Sequence, residues 1–195
     1  MLWLHRAADE GNSNAMAFIG ASYIRGEDGL KADQGEAVRW LRKASDLGNP
    51  AAMYSLGMVL GHGPSTPADR AEAMRWFIKS AQLGSVDAMT MAGIQYVSGV
   101  NGQGPNYVEA NHWFRSAADK GDATAMFMLA DLCRYGLGVP TDYAEAMHWS
   151  LRAAQVGNVD AMKLIGEMYE KGLGVPEDKA ESRRWLQMAA KQGGN

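Results

Sequence analysis

The sequence predicts an all-α solenoid of stacked helix pairs with about 36–37 residues per repeat. Three observations predict it. The six tryptophans, Trp3, Trp40, Trp76, Trp113, Trp149 and Trp185, are spaced 37, 36, 37, 36 and 36 residues apart. Each is followed after four residues by Ala or Ser and after eight by Gly, and from Trp40 onward Glu stands four residues before it. Between each such Gly and the next Trp runs another recurring phrase, built on Ala-Met. A fixed period in this range marks a stack of units, each of which buries its apolar face only against its neighbours.

The elements follow in order. The chain starts in a second helix around Trp3, a stub over about 2–10. Capping residues then follow each Gly: Asn12, Asn49, Ser85, Asp122 and Asn158. Their side-chain oxygens suit the orphan N–H groups of a first turn. First helices are expected over 13–25, 50–61, 86–98, 123–135 and 159–171. Counted from Ala15, Ala52, Ala88, Ala125 and Ala161, offsets 0, 4, 5 and 8 are apolar or small and share one face. Offset 5 is Gly in four copies and Ala130 in the other. Gly inside a helix costs about 1 kcal/mol against Ala, so its recurrence implies that another helix packs very close there. Gly26, Gly63, Gly99, Gly136 and Gly172 are placed to end these helices.

Second helices are expected over 34–47, 68–83, 106–120, 142–156 and 178–192. Asp33, Asp69, Asn106, Asp142 and Asp178 each precede Glu by three residues, the pattern of a capping box. The Trp phrase forms the body, with Trp as a large core knob against small-residue hollows. The extra residue of the longer repeats falls between the second Gly and the Trp, so it belongs to the loop within the pair. An insertion inside a helix would rotate the apolar face by about 100°. The chain thus reads as one solenoid domain, 1–195: a partial repeat at 1–11 and complete repeats at 12–48, 49–84, 85–121, 122–157 and 158–193.

A net charge of −3 argues against a nucleic-acid or anionic-membrane surface, which needs a basic stripe. No apolar run reaches membrane-spanning length, so no membrane insertion is expected. Cys133 is the lone cysteine and cannot form an internal disulfide. The repeat is already running at Trp3, so no signal peptide is visible in the sequence, and the chain is expected to begin inside a repeat. An upstream signal peptide since removed would place the chain in the periplasm or outside the cell; otherwise it is cytoplasmic.

Several residues invite a catalytic or metal reading and do not sustain it. His112 and His148 recur just before Trp, but two imidazoles without a third ligand make a poor zinc site. Cys133 stands where Tyr23, Tyr96 and Tyr169 stand, and reads as a small core residue. The Glu of the capping phrase recurs five times, whereas catalytic carboxylates are singular. The glycine-rich stretches at Gly136–Pro140, Gly172–Pro176 and Gly99–Gly104 follow helices, not the strand that a nucleotide-binding loop needs. No catalytic residue, metal site or cofactor is expected.

The phrase Asp160-Ala161-Met162, Leu164-Ile165-Gly166, Tyr169, Gly172-Leu173-Gly174-Val175-Pro176, Ala180, Trp185, Ala189-Ala190, Gly193 resembles the Sel-1-like repeat, a relative of the tetratricopeptide repeat. The resemblance recurs along essentially the whole chain. Its departures are Leu60 and Cys133 for Tyr, Ala130 for Gly, Ser182 for Ala, and second and third loops without the Gly-x-Gly-Val-Pro form. It implies a right-handed α/α superhelix acting as a protein-binding adaptor. Bacterial members of the family include host-interaction proteins, envelope-assembly scaffolds and immunity proteins.

In related helix-pair solenoids the first helices line the concave side. Offsets −1, 2, 6, 9 and 10 then face the groove, because the others are occupied in packing. That places Tyr54, Met58, His62, Thr90, Ile94, Val97, Phe127, Asp131 and Arg134 on a candidate protein-binding surface. The expected function is a non-catalytic interaction module for a partner protein or peptide, such as an immunity or host-interaction protein. The alternative is a scaffold fragment of a larger envelope-assembly protein or of a multidomain enzyme. Leu2, Trp3 and Leu4 stand together at the uncovered end, which suggests self-association there.

Overall fold

The structure, a computed structural model, describes residues 1–62, 66–99 and 103–194. Gly63 and Gly102 lie outside the described residues. The described residues are all-helical: α1 (Leu2–Asp9), α2 (Ser13–Arg25), α3 (Gln34–Asp46), α4 (Pro50–Gly61), α5 (Pro67–Gln82), α6 (Val86–Ser98), α7 (Tyr107–Ala118), α8 (Ala123–Tyr135), α9 (Tyr143–Gln155), α10 (Val159–Lys171) and α11 (Lys179–Gly193). All five first helices match the sequence expectation residue for residue, and the second helices lie within two residues of it.

The helices form two compact units. One is Met1–Ala92 with Gly99–Gly104, and the other is Gly93–Ser98 with Pro105–Asn195. In the first, α2 packs on α3 and α4 on α5, and α3 joins one pair to the next. In the second, α8 packs on α9 and α10 on α11, with α9 as the join.

The caps explain where the helices begin. Asn12, Asn49, Ser85, Asp122 and Asn158 each accept from the N–H three residues on. The second-helix caps behave differently from a full capping box. Asp33, Asn106, Asp142 and Asp178 also cap with their side chains. Their own backbone N–H groups, however, donate to Tyr23, Tyr96, Cys133 and Tyr169 carbonyls at the ends of the first helices. The reciprocal Glu bond is therefore not needed, and the carboxylate is free for other partners. Only α5 has a complete box. Its cap is Thr66 and not Asp69, which instead closes the box from the third position of the helix. Pro67 at the first position suits this earlier start.

The recurrent mid-helix glycines mark the tightest contacts within the pairs. A Cβ on Gly20 would lie 2.7 Å from Leu41 Cγ, and one on Gly57 would lie 2.6 Å from Phe77 Cε1. The same holds for Gly93 against Phe114 at 2.5 Å and Gly166 against Leu186 at 2.9 Å. In the remaining copy both residues change: Ala130 stands for Gly and Ser150 for the large residue, and both are fully buried. A methyl gained on one helix is offset by a small side chain on the other.

The buried knob is therefore the residue after Trp, not Trp itself. Leu41, Phe77 and Phe114 are at most 1% exposed. Trp40 and Trp149 are buried, but Trp76, Trp113 and Trp185 are half-buried and Trp3 is 78% exposed. At the edge of the core an indole can meet both a hydrogen-bond partner and a cation, as at Trp76 and Trp149, whereas the Trp113 N–H is buried without a partner among the described residues. Trp76 and Trp149 donate to Glu72 and Glu145 at 3.1 and 2.8 Å. Lys43, Lys79 and Arg152, three residues after their Trp, lie over the rings of Trp40, Trp76 and Trp149 at 4.5–4.6 Å. The carboxylates released from capping also bind the preceding second helix: Arg42 meets Glu72 at 2.7 Å and Arg115 meets Glu145 at 3.5 Å.

The glycine-rich loops space the repeats. Gly136 and Gly172 end their helices in the left-handed conformation. A Cβ on Gly138 would lie 2.7 Å from the Tyr107 carbonyl carbon, and one on Gly174 would lie 2.6 Å from that of Tyr143. The Gly two residues beyond the helix end thus lets each loop lie against the start of the preceding second helix. The loops 26–33 and 99–106 of the longer repeats exceed 136–142 and 172–178 by one residue, as expected.

Candidate protein-binding site

In the first unit, α4 carries Tyr54, Met58 and His62 on its outward side. They line an open pocket of about 620 Å³ at the seam between α2 and α4. Tyr23, Ile24 and Val59 complete its apolar wall, with Asp33 and Gln34 at the start of α3. Burial raises the Tyr54 pKa, and Asp87 adds to the effect, so the phenol remains a neutral donor. The Tyr54 ring also packs against Phe77 at 6.0 Å between centroids, which fixes its orientation. His62 Nδ1 lies 3.0 Å from the Met58 carbonyl. The Asp33 carboxylate accepts from the Glu36 N–H at 3.0 Å and is engaged as a cap.

In the second unit, Phe127 is half-buried on α8, and Asp131 and Arg134 belong to an ionic network. Arg134 meets Glu167 at 2.9 Å, and Lys171 holds Glu167 at 2.7 Å. Arg134 also covers the Tyr135 ring at 4.3 Å and donates to its hydroxyl. Arg134 Nε and Asp131 Oδ1 stand 3.5 Å apart, close enough for ionic attraction. Their geometry does not make a hydrogen bond, so both atoms are buried without one. Burial raises the Asp131 pKa, Arg134 opposes the shift, and Glu167 reinforces it. The hydrogen bond from Lys171 lowers the Glu167 pKa, with Arg134 adding to it against the effect of burial.

On α6 the expected surface is shallower. Ile94 and Val97 are half-buried. Thr90 is only 7% exposed, and its hydroxyl is buried without a partner among the described residues. Its short side chain offers a partner almost no surface. Cys133 is buried, and its pKa is raised by burial first and by Glu145 next, the opposite of an activated thiol. His112 and His148 are exposed and rest edge-on against Trp113 and Trp149 at 5.5 and 5.6 Å. Among the described residues no group of three His, Cys, Asp or Glu is placed to hold a metal ion, and no helix is long and apolar enough to cross a membrane.

Tyr54, Met58 and His62, which the sequence placed on the candidate surface, line this pocket together with Tyr23, Ile24 and Val59, which it did not name. Tyr23 occupies an offset assigned to packing, and Val59 one assigned to neither packing nor the groove. Ile24 carried a usable signal: Arg134 holds the equivalent position in the second unit, and Glu167 holds that of Met58. The seam that an ion pair spans at α8–α10 is apolar and open at α2–α4.

A model of the Sel1 repeat matches residues 1–12, 13–49, 50–85, 86–122, 123–158 and 159–194. Among solved structures, the chain is similar to c5321, a protective antigen of uropathogenic Escherichia coli strains displaying an SLR fold. The two are 32% identical with a TM-score of 0.91, over 98% of this chain and 40% of that one. It is also similar to a Sel1 repeat protein from Oxalobacter formigenes, at 29% identity and a TM-score of 0.87, over 94% of this chain and 75% of the other. A curated relative is the ERAD-associated E3 ubiquitin-protein ligase component HRD3A of Arabidopsis thaliana, 42% identical over 60 residues. That match covers 31% of this chain and 9% of HRD3A. With the repeat matched from residue 1 to 194 and its glycine contacts present in both units, the chain belongs to the Sel1 repeat family.

Proposed function

We propose that this chain is a non-catalytic protein-interaction module. It binds a partner protein on its first helices, where each unit offers its own contacts: Tyr54, Met58 and His62 in one, and Phe127, Asp131 and Arg134 in the other. The observation that supports this reading is the open pocket of about 620 Å³ between α2 and α4. The fold does not require apolar residues there, because α10 carries Lys163, Glu167, Glu170 and Lys171 at the corresponding positions. An aromatic and a Met beside polar neighbours have the anatomy of an interface, with an apolar centre and a polar rim. The chain spans 40% of c5321, and its 60-residue match to HRD3A covers 9% of that protein.

The test is site-specific photo-crosslinking in the source cell. A photoreactive residue replaces Met58 or Phe127 on the first helices, or Arg39 or Arg75 on the second. Discrete protein adducts are expected from positions 58 and 127. Adducts confined to 39 and 75, or none at all, would refute the proposal. With the trapped partner, Tyr54→Ala with Phe127→Ala should weaken binding by about 2 kcal/mol or more, as loss of aromatic anchors does. Arg39→Ala with Arg75→Ala should leave it unchanged.

A further inference from the structure

We propose that the α2–α4 pocket is the anchor site for one uncharged apolar side chain of a partner polypeptide, with Tyr23 and Tyr54 meeting the backbone carbonyls beside it. This rests on the protein-binding reading and names the chemistry the pocket selects. The argument begins with two seams of the same chain. At α8–α10, Arg134 and Glu167 reach across and pair at 2.9 Å. At α2–α4 the same two positions hold Ile24 and Met58, and a pocket of about 620 Å³ stands open between them. The repeat can therefore close this seam with its own side chains, and in the first unit it does not.

Charge then decides the occupant. The pocket wall carries one carboxylate, Asp33, and no Lys or Arg. The Asp33 carboxylate caps α3 through the Glu36 N–H at 3.0 Å and is exposed to water, so a basic group would gain little by pairing with it. Arg25, the last residue of α2, is paired with Glu27. A charged group entering an apolar wall without a counter-ion would lose its hydration uncompensated. An aliphatic or aromatic side chain loses none and gains contact with Ile24, Met58 and Val59.

The rim supplies the direction. Neither the Tyr23 nor the Tyr54 phenol is hydrogen-bonded to another described residue. Each can donate to a carbonyl. The Met58 carbonyl lies 3.0 Å from His62 Nδ1 and can accept from it, and in that tautomer Nε2 is left as an acceptor for a backbone N–H. Donors and an acceptor around one apolar hollow match a peptide segment better than a hydrocarbon ligand. The volume agrees. It lies within the roughly 300–1,000 Å³ of ligand pockets and leaves room for a side chain with its flanking main chain.

The experiment selects a displayed random peptide library on the whole chain and on the Ile24→Arg/Met58→Glu variant. That variant installs the ion pair found at the other seam. Cooperative thermal unfolding confirms its fold, and Met58→Ser carries the same comparison if it does not fold. Peptides enriched on the parent chain should share one aliphatic or aromatic position. A synthetic copy should bind the variant at least about tenfold more weakly, and the same loss should follow replacement of its apolar residue by Asp. Tyr54→Phe should weaken binding by a factor of about two to ten, the range of one hydrogen bond. Enriched peptides defined by charged residues, equal binding to the variant, or no enrichment at all would overturn the proposal. Crosslinks from position 58 together with any of these outcomes would leave the protein-binding reading standing and reject this chemistry alone.

Discussion

Replacing Gly57 by Ala separates two accounts of the core that differ in sign. Helix propensity alone predicts stabilisation by about 1 kcal/mol, because Gly is the poorer helix former. The structure predicts the reverse. The added Cβ would lie 2.6, 2.8 and 3.0 Å from Cε1, Cδ1 and Cζ of Phe77. Carbon pairs rest at about 3.5–4.0 Å, so the ring must retreat by roughly 1 Å. Phe77 is only 1% exposed, with no solvent to retreat into. Overpacking of this kind costs about 1–3 kcal/mol. Subtracting the propensity gain leaves a net loss of about 0–2 kcal/mol in place of the expected gain. Phe77→Ser alone should cost about 3–5 kcal/mol through lost burial and a cavity. The double variant reproduces the Ala130 and Ser150 combination that the chain already uses. It should therefore recover at least about 1 kcal/mol relative to the sum of the single changes. Urea unfolding followed by circular dichroism measures the cycle, and amide exchange in α4 and α5 localises it, because repeat stacks need not unfold in one step. A stabilised Gly57→Ala, with strictly additive effects in the double variant, would refute the close-contact account.

Two further outcomes are expected. Gly138→Ala should destabilise by about 2–4 kcal/mol, combining the left-handed backbone with a clash against the immovable Tyr107 main chain. Gly29→Ala, also at positive φ but with open space around it, should lose only about 1–2 kcal/mol, and equal losses at both positions would remove the proposed role of Gly138 in spacing the repeats. The third expectation concerns pH. Asp131 has a raised pKa in the folded chain, so the folded state holds its proton more tightly than the unfolded one. Its contribution is full below the ordinary carboxylate value and is lost as pH rises through the raised one. Stability of the parent chain relative to Asp131→Asn should therefore fall across that window, as read from unfolding midpoints at successive pH values. A difference that stays flat, or grows with pH, would contradict the burial argument.

The sequence by itself determined the period, the helix pairs and nearly every helix boundary. These depend on local chemistry: side-chain oxygens at Asn12 or Asp122 capping their own first turns, and Gly26, Gly136 and Gly172 supplying left-handed ends. It also exposed the close approach at Gly20, Gly57, Gly93 and Gly166, because a glycine kept inside a helix requires a packing cause. Sequence periodicity did not determine which of two adjacent residues enters the core. Trp40 and Leu41 differ by about 100° around α3, and only the angle at which α2 meets α3 turns Leu41 onto Gly20. The half-used capping boxes were hidden for the same reason. The acceptors for the Asp33 and Asp142 amides, Tyr23 and Cys133, lie on other helices. The α2–α4 pocket, too, was decided in three dimensions. Its wall joins residues of α2, α3 and α4, and its opening depends on Ile24 and Met58 facing each other across a seam that Arg134 and Glu167 close elsewhere.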